Sequence, residues 1–260
     1  LVLACAAVWF LVQQAQPDRR VVEVPTGSEL ADGVDLPGDL AFNLEWAAIP
    51  CEVVTQEPLE LDEVADTFAG GDDTACESAS TASPELFAGK SIWLSVLVSM
   101  FLHGSLLHLG GNLLYLWIFG NNVEDRLGHL AYLGFYLAGG VVATLAFVAT
   151  NADSTVPLVG ASGAIAAVMG AYLVWHPNAR INTLVVMIFI TVVRVRAKWL
   201  LAFWFVLQFF TGNDSGVAWM AHVGGFVFGV VAGLLIGPGR RGGRGARRDR
   251  PVLGDPRWSY

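Results

Sequence analysis

Charge is what this 260-residue chain has least of: 15% of its residues are Asp, Glu, Lys or Arg, 54% are hydrophobic, and the mean hydropathy is +0.54. A soluble domain ordinarily carries about 25% charged and about 45–50% apolar residues. Both departures run the same way, excluding an ordinary soluble domain and indicating an integral membrane protein. Bases are scarce early in the chain, where residues 18–89 hold 17 of the 23 acids but only Arg19 and Arg20 as bases. No Walker-type or dinucleotide-binding motif occurs, so no nucleotide is implied. There are only three cysteines. Cys5 lies in an apolar run and reads as a packing residue. Cys51 and Cys76 both fall in the acidic segment. They form either a disulfide, closing a loop of about 25 residues and worth about 3 kcal/mol, or two free thiols in a loose loop.

What is present is a series of apolar runs. A spanning helix needs about 20 apolar residues. Residues 1–16 read as a truncated first transmembrane helix, because "QQAQPDRR" offers no small-residue cleavage site for a signal peptide. Residues 17–91 read as an acidic extracytoplasmic loop, partly disordered over 60–85, with "AFNLEWAAIP" (41–50) resting at the membrane surface. Further spans are expected at 92–121, 130–149, 158–176, 199–211 and 218–236, with 92–102 as an interfacial approach.

Residues 183–193, "TLVVMIFITVV", are apolar but short, and Arg194, Arg196 and Lys198 follow at once. If this run crossed, that cluster and the tail 238–260, with seven Arg between 240 and 257, would both lie outside. If it does not cross, both lie inside, as positive charge near span ends prefers. The expectation is an all-α, polytopic membrane protein of six transmembrane helices with both termini cytoplasmic. The Arg-rich tail is then an anchor to anionic membrane lipid, and no nucleic-acid partner is expected.

In this topology three spans carry polar residues toward their outer ends, and polar groups within a membrane suggest function by default. His108 and Asn112 are four apart and share a helix face. Both can donate to an oxyanion. Ser162 sits about one turn into 158–176, and His222 about 6 Å below the start of 218–236 at 1.5 Å per residue. A serine becomes a nucleophile only when a base takes its proton, and histidine is the usual base. Gly225, Gly229 and Gly233 recur at every fourth position, and 158–176 has its own small face at Ala166, Ala167 and Gly170. Such stripes let helices approach closely enough to bring Ser162 and His222 together. A metal site from His103, His108 and His222 is disfavoured because no acid or thiol joins them at that depth.

Four segments carry a resemblance: "HGSLLHLGGN" (103–112), "NNVEDRLGH" (121–129), "GASGA" (160–164) and "AHVGG" (221–225). In their order and on these spans, the chain resembles the rhomboid intramembrane serine proteases over about residues 92–236. The resemblance implies a six-helix catalytic core, 92–237 with the first span, around a water-filled cavity open to the outside. It implies a Ser–His dyad without a third acid, with Ser162 as nucleophile and His222 as base. His108, Asn112 and the Ser162 backbone N–H would form the oxyanion hole, with Gly160 lining it. His103 would hold the outer loop, and Glu124 and Arg126 would be a structural pair at the cytoplasmic end.

The implied activity is an intramembrane serine endopeptidase of single-span membrane protein substrates, without metal or other cofactor, in a bacterial plasma membrane. Two features depart from the family pattern. Ala166 stands where many relatives have an aromatic supporting the histidine ring, and residues 17–90 lack a Trp-Arg pair, Trp46 being left as the interfacial anchor. The alternatives are a non-catalytic rhomboid-like protein that binds membrane clients, and a transporter using the histidines as proton relays. The presence of both Ser162 and His222 argues against the first, and the lack of mid-membrane acids against the second.

Overall fold

A computed structural model describes residues 1–23, 34–76, 83–186, 190–210 and 218–237. The Arg-rich tail 238–260 lies outside the described residues. Six apolar helical units build the core: α1 (Val2–Leu11) with a 3₁₀ turn (Gln13–Ala15); α5 (Ile92–Val98) bent into α6 (Leu106–Tyr115) and α7 (Asn121–Leu127); α8 (His129–Val148); α9 (Ser162–Trp175); α10 (Ala197–Gln208); and α11 (Trp219–Ile236). Between α1 and α5 come a short hairpin, β1 (Arg19–Val22) and β2 (Val34–Pro37), and three short helices: α2 (Gly38–Trp46), α3 (Pro50–Thr55) and α4 (Leu61–Ala65).

The six-span expectation is met only in part. Among the described residues, two helices, α8 and α11, are long and apolar enough to cross a membrane. A third crossing results if 92–101 and 106–127, which meet at 81°, count as one broken span. Ser162–Trp175 has 14 residues, about 21 Å against a hydrocarbon core of about 30 Å. The expected run 158–176 is shorter as a helix because 158–161 is used as a loop, so Ser162 is the first helical residue rather than one turn in. The membrane reading also has a surface correlate. Leu107, Leu130, Phe210 and Leu235 are at least 80% exposed, an apolar exterior that suits lipid rather than water.

The helical expectation holds for most of the chain, and to it the described residues add two antiparallel strand pairs, β1–β2 and β3 (Arg180–Val186) with β4 (Ile190–Arg196). Within the run 183–193, the described residues 183–186 and 190–193 are strand rather than helix. Their Thr, Val and Ile content favours strand over helix, and the ladder pairs Arg180 with Arg196 and Leu184 with Val192.

α9 is the central helix. Every residue from Gly163 to Tyr172 is buried, as expected of a helix apolar on all sides. Small residues set how near its neighbours come. A β-carbon on Gly225 would fall 2.1 Å from the Gly163 carbonyl oxygen, and one on Gly170 would fall 2.2 Å from that of Phe226. Gly163 likewise faces the Ala143 methyl of α8.

The acidic segment is more ordered than its composition suggests. Leu44, Ile49, Leu59, Val64 and Leu86 form a separate small core. Within the stretch expected to be disordered, 60–76 is folded. Glu60 and Glu63 make a reciprocal capping box at the start of α4, and Cys51 and Cys76 are joined by a disulfide with Cα atoms 5.6 Å apart. Lys90 Nζ and a Glu52 carboxylate oxygen meet at 2.5 Å, with both side chains at most 2% exposed. Residues 77–82 lie outside the described residues. This cap is fastened to the loop preceding α9. The Leu158 N–H donates to Ala48 O (2.7 Å), Cys51 N–H to Ser154 O (2.9 Å) and Thr155 N–H to Asp73 O (3.0 Å).

Candidate active site

Ser162 opens α9 immediately after Gly160 and Ala161. The first N–H groups of a helix have no intrahelical carbonyl to bond, and the aligned peptide dipoles favour negative charge at that end. The Ser162 hydroxyl therefore stands where a developing anion is stabilised by backbone. His222 lies in the first turn of α11. Its Nε2 is 2.8 Å from Ser162 Oγ, a hydrogen bond between residues 60 positions apart. The glycine-mediated approach of α9 and α11 makes this contact possible.

Both residues line a cavity of about 660 Å³, together with His108, Asn112, Gly160 and Trp204. Asn112 is 8% exposed, and its Nδ2 is buried with no hydrogen-bond partner among the described residues. A buried amide donor left unpaired is costly, so this group is available to an acceptor entering the cavity. His108 Nδ1 accepts from the Gly104 N–H in a long contact of 3.4 Å, which leaves Nε2 as the donor position. Gly160 adopts φ +141°, a conformation that side chains disfavour. A β-carbon there would also stand 3.0 Å from His108 Nε2 and 3.5 Å from Ser162 Oγ. Glycine thus keeps open the space between these two polar groups. The Gly160 N–H donates to Ser99 O (3.0 Å), fixing the loop that carries it.

His103 is 1% exposed, and its ring meets that of His108 edge-on at 5.3 Å. Its backbone is clamped from both sides by Gln13, whose Nε2 donates to His103 O (3.0 Å) and whose Oε1 accepts from His103 N–H (2.9 Å). Among the described residues, Glu124 and Arg126 meet other partners rather than each other. Glu124 binds His129 Nδ1 at 2.6 Å. Arg126 donates to Gly237 O and stacks over Trp175 at 4.2 Å. Residues two apart on a helix point to different faces, which is why they find different partners. The disulfide cysteines lie in the cap, outside the cavity lining.

The Rhomboid domain family model matches residues 90–239, more than half of the chain. This chain belongs to the rhomboid family. Its relatives include "Presenilin-associated rhomboid-like protein A, mitochondrial" of Danio rerio, 34% identical over 97 residues, which are 36% of this chain and 25% of that protein. "Presenilin-associated rhomboid-like protein, mitochondrial" of Bos taurus is 29% identical over 152 residues, 55% of this chain and 38% of that protein. "Rhomboid protease GluP" of Bacillus subtilis (strain 168) is 31% identical over 167 residues, 62% of this chain and 29% of that protein. The chain thus spans well under half the length of these relatives.

Two residues of this rhomboid's site escape sequence reasoning. Gln208 Oε1 lies 2.8 Å from His222 Nδ1, and the Trp204 ring sits 5.8 Å from that of His222 at a 40° tilt. They take up the support that Ala166, buried in α9, does not give. The available signal was Gln208 itself, the one polar side chain in the run "LLAFWFVLQFF" (200–210). A polar group in a membrane segment calls for a partner.

Proposed function

We propose that this rhomboid is an intramembrane serine endopeptidase acting on single-span membrane proteins through Ser162 and His222. The observation that carries the reading is the 2.8 Å contact between Ser162 Oγ and His222 Nε2 in a cavity that Asn112 also lines, its Nδ2 unpaired among the described residues. His222 Nε2 takes the Ser162 proton as Oγ attacks the scissile carbonyl carbon. The resulting oxyanion accepts hydrogen bonds from Asn112 Nδ2, His108 Nε2–H and the Ser162 backbone N–H. The imidazolium then protonates the leaving amine. Water repeats the sequence on the acyl-enzyme and frees Ser162. The substrate helix unwinds first, because its carbonyls are otherwise occupied by its own hydrogen bonds.

The shorter helices α1, α9 and α10 complete six crossings with both termini cytoplasmic, so the cavity and the disulfide-bonded cap face the outside. Of the relatives cited, the protein of Bacillus subtilis fits a bacterial plasma membrane, and the two mitochondrial proteins do not. His103 anchors the bend between α5 and α6.

The test is cleavage of a model single-span substrate by purified protein in detergent, with Ser162→Ala and His222→Ala alongside. Cutting by wild type alone supports the dyad. Equal cutting by all three assigns the activity elsewhere. A folded wild type that binds single-span proteins but cuts none supports a client-binding rhomboid instead.

A further inference from the structure

Gln208, the last residue of α10, is 7% exposed, and its amide is engaged at both ends. Its Nε2 donates to Trp204 O at 3.0 Å. A backbone carbonyl only accepts, so this contact fixes which end of the amide is nitrogen. Oε1 is then the end that meets His222 Nδ1 at 2.8 Å. An amide oxygen also only accepts, so Nδ1 must carry the ring proton. The lone pair is left on Nε2, the nitrogen that faces Ser162 Oγ at 2.8 Å.

We infer that Gln208 is a positioning residue, which holds His222 in the Nδ1–H tautomer and in the ring orientation that Nε2 needs to act as base. The inference rests on the dyad reading above. Two further features locate this role on α10. The same helix supplies Trp204 against the imidazole, and Trp204 packs in turn on Phe226 at 5.9 Å. On the α9 side, position 166 is an alanine, which has no ring or hydrogen-bonding group to offer. The ring is therefore oriented from α10 rather than from the helix of the nucleophile. Gln208 fills the place that a carboxylate fills in a Ser-His-Asp arrangement. Being neutral, it orients the imidazole without adding a full negative charge.

The experiment compares full-chain wild type with Gln208→Leu, Gln208→Met and Gln208→Glu in detergent. It measures kcat and KM on a model single-span substrate, the ¹⁵N spectrum of the His222 ring (assigned with His222→Ala) and the thermal unfolding midpoint. Gln208→Leu and Gln208→Met are expected to lower kcat on the order of 10²-fold, with KM and unfolding midpoint little changed. In both, the His222 nitrogens shift toward a mixture of tautomers. Gln208→Glu, which keeps an acceptor at Nδ1, is expected to recover kcat to within about tenfold of wild type. A folded Leu or Met variant with wild-type kcat and an unchanged imidazole spectrum overturns the inference, as does a Glu variant no better than Leu. The ring spectrum does not depend on turnover. If wild type cleaves nothing, the spectrum still decides the tautomer claim, while the Ser162→Ala and His222→Ala comparison decides the protease reading.

Discussion

Gly229 of α11 lies so close to α9 that a β-carbon on it would sit 1.9 Å from the carbonyl oxygen of Ala167. Backbone cannot yield by that amount without the two helices separating. The same contact surface carries Ser162 and His222, so the spacing of the helices and the length of their hydrogen bond are one quantity.

Gly229→Ala is therefore expected to destabilise the folded protein by roughly 1–3 kcal/mol, the usual cost of overpacking. It should also lower proteolytic activity in the fraction that remains folded. Thermal unfolding in detergent and cleavage of a single-span substrate check the two effects separately. Wild-type stability in this variant would show that the helices are not held this closely.

Much of the site is legible in the sequence because it is built from local patterns. Gly225, Gly229 and Gly233 announce a close helix contact by spacing alone, and His108 and Asn112 share a face because they are four residues apart. What was not legible depends on contacts between distant segments. Gln208 reaches His222 only because α10 and α11 are packed side by side. The cap folds because Ala48 meets Leu158 and Asp73 meets Thr155, pairings that no local period encodes. Its acidic composition suggested disorder, while a small apolar core and one disulfide outweigh it. The resemblance paired Glu124 with Arg126, whereas residues two apart on a helix point to different faces, and each side chain meets another partner. Residues 183–186 and 190–193 are strand, as their β-branched content favours, whereas the charge that follows them bears only on whether the run crosses the membrane.

Asn112→Ala removes a donor, Nδ2, that has no hydrogen-bond partner among the described residues. Its effect should fall on the transition state. We expect kcat to drop about 10²–10³-fold with KM little changed, as for other oxyanion donors, and no loss of thermal stability. A variant with raised KM and intact kcat would assign Asn112 to ground-state binding instead.

The buried Glu52–Lys90 pair gives the cap a pH signature. Burial pushes the Glu52 carboxyl up from its ordinary value, with Lys90 opposing, and pushes the Lys90 ammonium down, with Glu52 opposing. Lys90→Met leaves the carboxylate unpaired, at a cost of about 3–5 kcal/mol near neutral pH. A carboxyl raised above its unfolded value favours the folded state at low pH, and that contribution is lost as pH rises through the folded value. The variant's cap should thus regain stability on acidification, and Lys90→Met with Glu52→Leu should be stable across the range. Limited proteolysis of the cap as a function of pH reads both. A Lys90→Met cap that weakens further on acidification would contradict the assignment.

Cys51→Ala with Cys76→Ala should loosen the cap by about 3 kcal/mol, the entropy of a closed loop of this size. The cap holds residues 154–158, which lead into Gly160 and Ser162, so activity should fall as well. Hydrogen exchange should show faster opening of 154–158, with α8 and α11 unaffected. Unchanged exchange in that loop would show that it is held without the disulfide.

The central claim is that His222 activates Ser162, and covalent capture tests it most directly. A fluorophosphonate probe is added to the full-chain protein in detergent, and the adduct is located by mass spectrometry. The account predicts a single adduct on Ser162, absent in Ser162→Ala and formed on the order of 10²-fold more slowly in His222→Ala. Equal labelling of Ser162 in wild type and His222→Ala, or an adduct only at another residue of the folded protein, would contradict it.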